Sequence, residues 1–361
     1  MGKITREFAN TIGLGQTVQT GLNFRNYIIN GDMNISQRGT SFTGLGNGGS
    51  AYTLDRWKWT EEGTITNEWT ISQASDAPSG SLAESFTKSL KIECTTANAS
   101  LDADSIQYIE QRVEAQNLQN LHFGSVNARN LNLAFWVKTN KTGTYTINIV
   151  NEDAGRSASL TYTIDTANTW IKKDINLGKD TVGAINNDNG AGLILQFNLA
   201  AGTNKSSGSI QSWSTTVEAN RAPGQVNLAD NTANEFYLTG VQLERGKFDT
   251  DFETLPYDVT LRRCQRYYFQ SATEVPIIGL AANGGMIIFS FPSTMRVSPA
   301  LSLFRGVTEN QIYRISDGAV EVQSWIILKT PDCAFNFYNF SSSFFTIGTG
   351  FSTKIRADSE L

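Results

Sequence analysis

EFYLTGVQLERGKFDTDFETLPY, residues Glu235–Tyr257, and RRCQRYYF, residues Arg262–Phe269, form a hinge that divides the chain. The run Phe236–Leu243 follows the alternating pattern of a half-buried β-strand, and the pattern ends at Gly246. The aromatic, proline-containing segment beyond it is typical of an exit from one compact unit. We therefore expect one β domain before this hinge and a second, smaller β domain after it.

The composition of the 361-residue chain fits a strand-rich protein with two cores. Hydrophobic residues make up 40% and charged residues only 17%, so Ser, Thr, Asn, Gln and Gly must supply much of the polar surface. The net charge of −5 does not fit a phosphate-backbone binder, so we expect no nucleic-acid partner. No apolar run approaches the ~20 residues of a membrane helix, so we expect no membrane insertion and no secretion signal.

Short strand patterns separated by turn signals fill residues 23–256. Thr144–Val150 and Leu193–Leu199 alternate cleanly, and breaks such as Lys-Thr-Gly and Asn-Asp-Asn-Gly separate the runs. This pattern indicates an antiparallel sandwich or jelly roll. Ser105–Gln116 carries both helical and strand spacing of its apolar residues, and the strand is the preferred interpretation. The sequence therefore predicts an all-β fold with an N-terminal jelly-roll sandwich over residues 23–256.

Residues 257–361 contain a second series of short strand patterns and many aromatic side chains. They predict a smaller C-terminal β-sandwich-like domain. A unit of this length has a modest core, so we expect some of its aromatic residues to pack between subunits. Tyr267, Tyr268 and Phe269 are the residues we expect at an oligomer or domain interface. The domain is a candidate for oligomerisation or for contact with a receptor.

The first 22 residues form neither a convincing strand nor a long amphipathic helix, because glycines interrupt their apolar positions. Those apolar positions are Ile4, Phe8, Ile12 and Leu14. We interpret residues 1–22 as an attachment arm that orders against a partner. A frayed or tucked-in terminus is the alternative.

No arrangement of residues predicts catalysis, a metal site or a cofactor. His122 is the single histidine, which leaves at most one imidazole for a base. The three cysteines are widely spaced and are interpreted as buried free thiols: Cys94, Cys264 and Cys333. The Asn/Asp clusters at Asn186–Asn189 and Asp230–Asn234 lack the EF-hand spacing and are read as turns. Asp55 and Arg56 are expected to form a buried ion pair.

Eight motifs, in order, resemble a family of tailed-bacteriophage virion proteins, tail fibres or other appendages with a carbohydrate-binding-module-like jelly roll. The resemblance runs from Asn26 to Leu361. The motifs are NYIINGDMNISQRGTSF, YTLDRW, QRVEAQNL, LAFWVKTNKTGTY, FYLTGVQLERG, RRCQRYYF, FPSTMRVSPAL and ADSEL. Residues 1–22 fall outside them, and the attachment point to a particle would have to lie there.

The resemblance implies a structural virion protein, assembled in the bacterial cytoplasm and exposed on the particle. It implies a homotrimer that joins other virion proteins through its N-terminal arm and contacts host surface polysaccharide. On this interpretation Tyr267, Tyr268 and Phe269 lie near a three-fold axis or a domain interface. One alternative is a capsid-attached head fibre or decoration protein. A glycan depolymerase is the alternative of another class, because glycoside hydrolysis needs only two carboxylates.

Sugar recognition places a flat aromatic face against the apolar side of a pyranose ring, beside amides or carboxylates that bind the hydroxyls. The candidate carbohydrate-binding residues are Trp59, Trp170 and Trp213. Trp57 and Trp136 lie in the resemblance motifs and are expected to be structural, because tryptophan in a sandwich usually belongs to the core.

Overall fold

The computed structural model is built almost entirely from antiparallel strands in three sheets. It describes residues 24–46, 49–80, 86–281, 284–305, 308–309, 311–314, 320–322, 326–330, 334–338 and 350–361. The predicted attachment arm, with Ile4, Phe8, Ile12 and Leu14, lies outside the described residues. The arm therefore stays a prediction.

Strands β1 to β13 make up the first two sheets. They are β1 (Ser41–Leu45), β2 (Ala51–Tyr52), β3 (Lys58–Glu62), β4 (Glu68–Ala74), β5 (Ser89–Thr96), β6 (Ile106–Glu114), β7 (Leu131–Thr139), β8 (Gly143–Asn151), β9 (Arg156–Ile164), β10 (Ile171–Gly178), β11 (Ala191–Ala201), β12 (Gln211–Thr215) and β13 (Glu235–Arg245). The first sheet has the order β1-β4-β5-β13-β7-β10, and the second has the order β12-β9-β8-β11-β6-β3-β2.

The strand order is that of a jelly roll. In the first sheet β5, β13, β7 and β10 are neighbours, and in the second sheet β6, β11, β8 and β9 are neighbours. Among these eight strands the chain passes from one sheet to the other between β5 and β6, β6 and β7, β7 and β8, β9 and β10, β10 and β11, and β11 and β13. Eight strands shared in this way between two sheets are the double Greek key of a jelly roll. The predicted fold class is confirmed, and the ambiguous stretch Ser105–Gln116 contains strand β6.

Aromatic side chains fill the space between the two sheets. The rings of Trp57 and Phe135 both pack on Phe197, at centroid separations of 6.2 and 5.1 Å. The rings of Trp59 and Trp69 pack on each other at 5.7 Å. All five are fully buried, and burial of each stabilises the fold by about 1.5–3 kcal/mol. Trp57 is therefore a core residue, as expected.

Asn30 joins the first two resemblance motifs. Its backbone has a φ of 60°, in the left-handed region that Asn tolerates better than most residues. Its side-chain Nδ2 donates to the carbonyls of Ile35 and Asp55, at 2.9 and 3.0 Å. The indole Nε1 of Trp57 donates to the Asn30 carbonyl at 3.0 Å. One asparagine thus fixes the loop of the first motif onto the YTLDRW turn.

Gly31 is required because two backbone segments approach closely. A Cβ at this position would lie 2.1 Å from the carbonyl oxygen of Val241, and the Val241 amide donates to the Gly31 carbonyl at 2.9 Å. We expect Gly31→Ala to lower the free energy of unfolding by about 2 kcal/mol, because the backbones must separate and strain that hydrogen bond. Urea denaturation measures the change. Gly49→Ala, with nothing within 4 Å of the added Cβ, is the control, and equal losses in both variants would contradict the argument.

Two short α-helices occur among the described residues, α1 (Thr203–Ser206) and α2 (Tyr257–Gln265). Neither helix is long and apolar enough to cross a membrane. Helix α2 lies within the hinge and was not predicted from the sequence. Its signals are Pro256 at the N-cap, Asp258 in the first turn, and Arg262 and Arg263 in the last turn, a charge order that complements the helix dipole.

The third sheet follows α2. Its strands are β14 (Tyr268–Gln270), β15 (Val275–Ala281), β16 (Gly284–Ile288), β17 (Ala300–Arg305), β18 (Thr308–Glu309), β19 (Gln311–Arg314), β20 (Val320–Val322), β21 (Ile326–Thr330), β22 (Ala334–Tyr338) and β23 (Gly350–Asp358). Strand β23 is its centre, since β14, β15, β17 and β19 all pair with it. The predicted boundaries 1–22, 23–256 and 257–361 stay predictions.

The segment Asp358–Leu361 packs against the jelly roll through a buried ion pair, which corrects one expectation. The Arg56 guanidinium pairs with Glu360, and the two side chains are 1% and 4% exposed. Arg38 lies 3.3 Å from the other Glu360 oxygen. Asp55, expected to pair with Arg56, instead accepts a hydrogen bond from the backbone N–H of Gln37 at 2.7 Å. The prediction was wrong because the partner of Arg56 is more than 300 positions away in the sequence.

The two residues that follow α2 are fixed to the jelly roll by a second buried carboxylate. Glu114 is fully buried and accepts hydrogen bonds from Arg266 Nε and Nη2, at 2.7 and 2.8 Å, and from the Tyr267 hydroxyl. The Tyr267 ring centroid lies 3.4 Å from the Arg56 guanidinium carbon. We call the Arg56–Glu360 and Glu114–Arg266 contacts, with Tyr267 between them, the junction.

Tyr268 and Phe269 continue from the junction into strand β14 of the third sheet. The Tyr268 ring lies 3.6 Å from the guanidinium carbon of Arg38. Phe269 packs on Phe289 and Phe291, at ring separations of 5.2 and 5.8 Å. The contacts described for Tyr267, Tyr268 and Phe269 thus lie within one chain, and their role between subunits stays a prediction.

Candidate functional site

Four side chains form a row across the outer face of the first sheet. Lys91 on β5 is opposite Tyr237 on β13, and Tyr237 is opposite Lys138 on β7. Trp170 immediately precedes β10. Because Ile171 of β10 pairs with Val137 of β7, the same antiparallel register places Trp170 opposite Lys138. We call Lys91, Tyr237, Lys138 and Trp170 the Trp170 row.

The row faces outward because side chains alternate along a strand. Phe236 and Leu238, the neighbours of Tyr237, are core residues, and so is Val137, the neighbour of Lys138. Tyr237 and Lys138 must therefore project from the opposite face of the sheet. The alternation that builds the jelly-roll core also builds this surface.

The two lysines and the two rings of the row are in contact. Lys138 Nζ lies 4.1 Å from the Tyr237 ring centroid and 5.5 Å from the Trp170 ring centroid. Lys91 Nζ lies 5.5 Å from the Tyr237 ring. The Trp170 and Tyr237 rings are 6.1 Å apart at an angle of 70°. Each cation–π contact contributes about 0.5–1 kcal/mol at such a surface, so the ring orientations are restrained before any ligand arrives.

Three carboxylates surround the row and bind its polar atoms. Asp76 accepts a hydrogen bond from Trp170 Nε1 at 3.0 Å and forms an ion pair with Lys138. Lys91 pairs with Glu93 at 2.7 Å and with Glu235 at 2.9 Å. The Tyr237 hydroxyl donates to Glu235 at 2.8 Å.

These contacts determine the protonation of the carboxylates. Burial raises the pKa of Asp76, but the hydrogen bonds from Lys138 and Trp170 outweigh it and hold the pKa below its usual value. Burial likewise raises the pKa of Glu235, and the hydrogen bonds from Lys91 and Tyr237 outweigh it. Both groups are therefore ionised at neutral pH.

The Trp170 row has the chemistry of a sugar-binding surface. Trp170 is half-buried, so part of its indole faces solvent. A pyranose ring packs its apolar side on such an indole, and nearby carboxylates accept hydrogen bonds from the hydroxyl groups. Among the residues that the structure describes, no group of three or more His, Cys, Asp or Glu side chains is placed to hold a metal ion.

A cavity at the hinge is a weaker candidate. It has a volume of about 20 Å³ and is lined in part by Asn26, Asp32, Glu253, Thr260 and Arg263. A cavity of that size holds about one water molecule. It is too small for a sugar, and two of its charged residues, Glu253 and Arg263, belong to the hinge.

The three tryptophans proposed from the sequence do not meet. Trp59 is 1% exposed in the core, so its ring faces are not available to a sugar, which corrects its selection as a candidate. Trp213 is half-buried on edge strand β12, where Nε1 donates to the Leu177 carbonyl at 2.8 Å and the ring packs on Phe123. Trp170 alone lies in the row.

Sequence reasoning missed Tyr237, Lys138, Lys91 and Asp76. Parity along β13 and β7 already places Tyr237 and Lys138 on the outer face, so that signal was present. The pairing of β5 with β13 joins residues about 145 positions apart, and nothing in either strand's alternation specifies it. The row is visible only once the register is known.

No protein-family model matches the sequence, and no curated protein matches it. Among solved structures, the chain is similar to the enzymatically active domain of tailspike protein 4 of bacteriophage CBA120, at 15% identity and a TM-score of 0.32, over 62% of this chain. The chain spans 22% of that tailspike chain. It is also similar to the module TmCBM61 in complex with β-1,4-galactotriose, at 12% identity and a TM-score of 0.30, over 62% of this chain and 99% of the module.

A family 11 carbohydrate-binding module of a Clostridium thermocellum cellulase is similar as well. It has 12% identity and a TM-score of 0.28, over 55% of this chain and 95% of the module. Likenesses at TM-scores near 0.3 assign neither a ligand nor an activity to this chain. The jelly roll rests on the chain's own strand order.

Proposed function

We propose that this chain is a structural protein of a tailed-bacteriophage particle that binds host surface glycans through the Trp170 row. The observation that carries the binding part is the half-buried Trp170 ring beside carboxylates on the outer face of a jelly-roll sheet. The eight ordered sequence motifs support the virion part. We assign no catalytic residues.

In the proposed complex a sugar ring lies on the Trp170 indole. Its hydroxyl groups donate to Asp76 and Glu235, which are ionised and already held in place by Lys138 and Lys91. Little side-chain order is then lost on binding, because the row is organised beforehand. A single small surface of this kind binds weakly, and three copies on a trimer strengthen the attachment through effective concentration.

Trp170→Ala is expected to weaken glycan binding about tenfold, equivalent to about 1.4 kcal/mol, because the stacking face is lost. Titration calorimetry with a polysaccharide selected on a glycan array measures the effect. Tyr257→Ala removes an aromatic side chain that is 64% exposed outside the row, and it is the matched control. Unchanged binding by Trp170→Ala, or equal losses in both variants, would contradict the proposed site.

The virion role is tested on particles. In the proposed arrangement the chain is a homotrimer and the arm, residues 1–22, attaches it to other virion proteins. Light scattering of the purified protein should give three times the chain mass, and chains lacking residues 1–22 should be absent from purified particles. Microscopy of the particle separates a tail fibre from the alternative, a capsid-attached head fibre or decoration protein. Release of reducing sugar by the purified protein would instead favour a glycan depolymerase.

A further inference from the structure

We infer that the Trp170 row selects neutral, hydroxyl-rich sugars and discriminates against glycans that carry carboxylate or sulfate groups. The inference rests on the proposed function, because it names the class of sugar that the same surface takes. It follows from which charges of the row are already paired and from which of them reach solvent.

Both ammonium groups of the row are engaged by the protein. Lys138 is paired with Asp76 and lies against the rings of Tyr237 and Trp170. Lys91 lies between Glu93 and Glu235. Two cations therefore face three carboxylates, and the cluster carries a net negative charge.

The exposure of these side chains determines the sign of the charge that a ligand meets at this surface. The side chains of Lys138 and Lys91 are 14% and 19% exposed. Those of Asp76, Glu235 and Glu93 are 47%, 37% and 35% exposed. The outermost charged atoms beside the Trp170 ring are therefore carboxylate oxygens, and the lysines lie beneath them.

The cations around the row do not reverse this sign. Lys172 is paired with Asp249 at 2.8 Å, and Lys141 is paired with Asp230. Lys88 donates to the hydroxyl of Ser75 at 3.1 Å. Lys172 and Lys141 are thus neutralised by carboxylates of their own, and Lys88, whose described contact is to a hydroxyl group, is the one of the three that offsets the negative charge of the row.

Hydroxyl groups and anionic groups meet this surface differently. A sugar hydroxyl donates to a carboxylate, and such charge-assisted hydrogen bonds are stronger than neutral ones. A carboxylate or sulfate on the sugar cannot donate, and it is repelled by like charges a few ångströms away. Specificity of this kind comes from unfavourable interactions with the rejected ligand as much as from favourable interactions with the accepted one.

The test compares matched pairs of polysaccharides, each an acidic polymer and its carboxyl-reduced form, which share linkage and length. Wild-type protein should bind the reduced member of at least one pair about tenfold more tightly than the acidic member, a difference of about 1.4 kcal/mol. The difference in affinity between the two members should become smaller at high salt, because screening weakens the repulsion. Calorimetry or biolayer interferometry on the intact chain provides the affinities.

The deciding variant is the double substitution Asp76→Asn and Glu235→Gln. It keeps acceptor oxygens for Trp170 and Tyr237 and leaves Lys138 and Lys91 with fewer partners, so binding of the acidic member should increase. A lost side-chain contact alone does not produce a gain of binding. Trp170→Ala should instead weaken binding to both members of the pair.

The outcomes separate the two proposals. If wild-type protein binds the acidic member as tightly as the reduced one, the selectivity inference is overturned and the proposed function stands. If it binds neither member of any pair, nor any glycan on an array, the proposed function itself is overturned. If the double variant is folded by its thermal transition but gains no affinity for the acidic member, carboxylate repulsion is not the cause of the selectivity.

Discussion

Arg56→Met is expected to lower the free energy of unfolding by about 3 kcal/mol, the lower end of the range for breaking a buried ion pair. The variant leaves the Glu360 carboxylate in the junction with Arg38 alone, at 3.3 Å. It also removes the guanidinium that packs on Tyr267 and donates to the Arg112 carbonyl. Arg56 has a φ of 74°, in the left-handed region, and methionine at this position carries the same backbone cost. The expected loss therefore reports on the side chain.

Urea denaturation of the wild type and the variant measures this loss. In the double variant Arg56→Met, Glu360→Met the expected loss is smaller than in Arg56→Met, because no unpaired charge remains buried. Lys172→Met is the control. It breaks a pair with Asp249 whose side chains are 37% and 31% exposed, and it should cost less than about 1 kcal/mol. A double variant less stable than Arg56→Met would contradict the account of the junction.

Glu114→Gln is expected to cost about 2–4 kcal/mol at pH 7, because the amide cannot accept all the hydrogen bonds that the carboxylate accepts and leaves Arg266 without its counter-charge. Arg266 and the Tyr267 hydroxyl are the donors concerned. The Glu114 side chain is fully buried, so solvent does not replace them. Separation of α2 from the jelly roll should become easier in the variant.

The pH dependence of this loss is the sharper test. Burial raises the pKa of Glu114, but the hydrogen bonds from Arg266 and Tyr267 outweigh it, and the pKa in the folded protein lies below the ordinary value of 4.5. A carboxylate with a lowered folded-state pKa stabilises the protein above its unfolded pKa, and that stability is lost as the pH falls through the folded one. The stability difference between wild type and variant should therefore be constant above the ordinary value and shrink as the pH falls below it. A difference that stays constant under acid would contradict the assignment.

The fold class was predictable from the sequence because the core and the surface of a sandwich alternate along each strand. Runs such as Leu193–Leu199 carry that alternation openly. Helix α2 was missed because it has only nine residues and no sustained apolar stripe. Trp59 and Trp170 have the same side chain, and only their positions relative to the two sheets decide that one is core and the other is surface.

The junction shows why sequence motifs alone do not predict which of their residues come into contact. Arg56, Glu114, Tyr267 and Glu360 belong to four separate resemblance motifs, and they meet only in the folded chain. Local patterns report secondary structure and burial, whereas the pairing of a buried charge with its counter-charge depends on long-range topology. Asp55, the nearest carboxylate to Arg56 in sequence, was for that reason the wrong choice of partner.

The position of the cysteines gives the two parts of the molecule separate chemical reporters. Cys94 and Cys264 are free and buried, as predicted. Cys94 lies in the jelly-roll core, and Cys264 lies on α2 in the cluster with Ile29, Ile35 and Tyr267. Burial raises the pKa of Cys94 to about 11 and that of Cys264 well above its usual value, so neither thiol reacts while it stays covered. In a chain with Cys333 replaced by serine, the rate at which a thiol reagent modifies Cys264 measures how often α2 separates from the jelly roll. The rate at which it modifies Cys94 measures how often the sandwich opens.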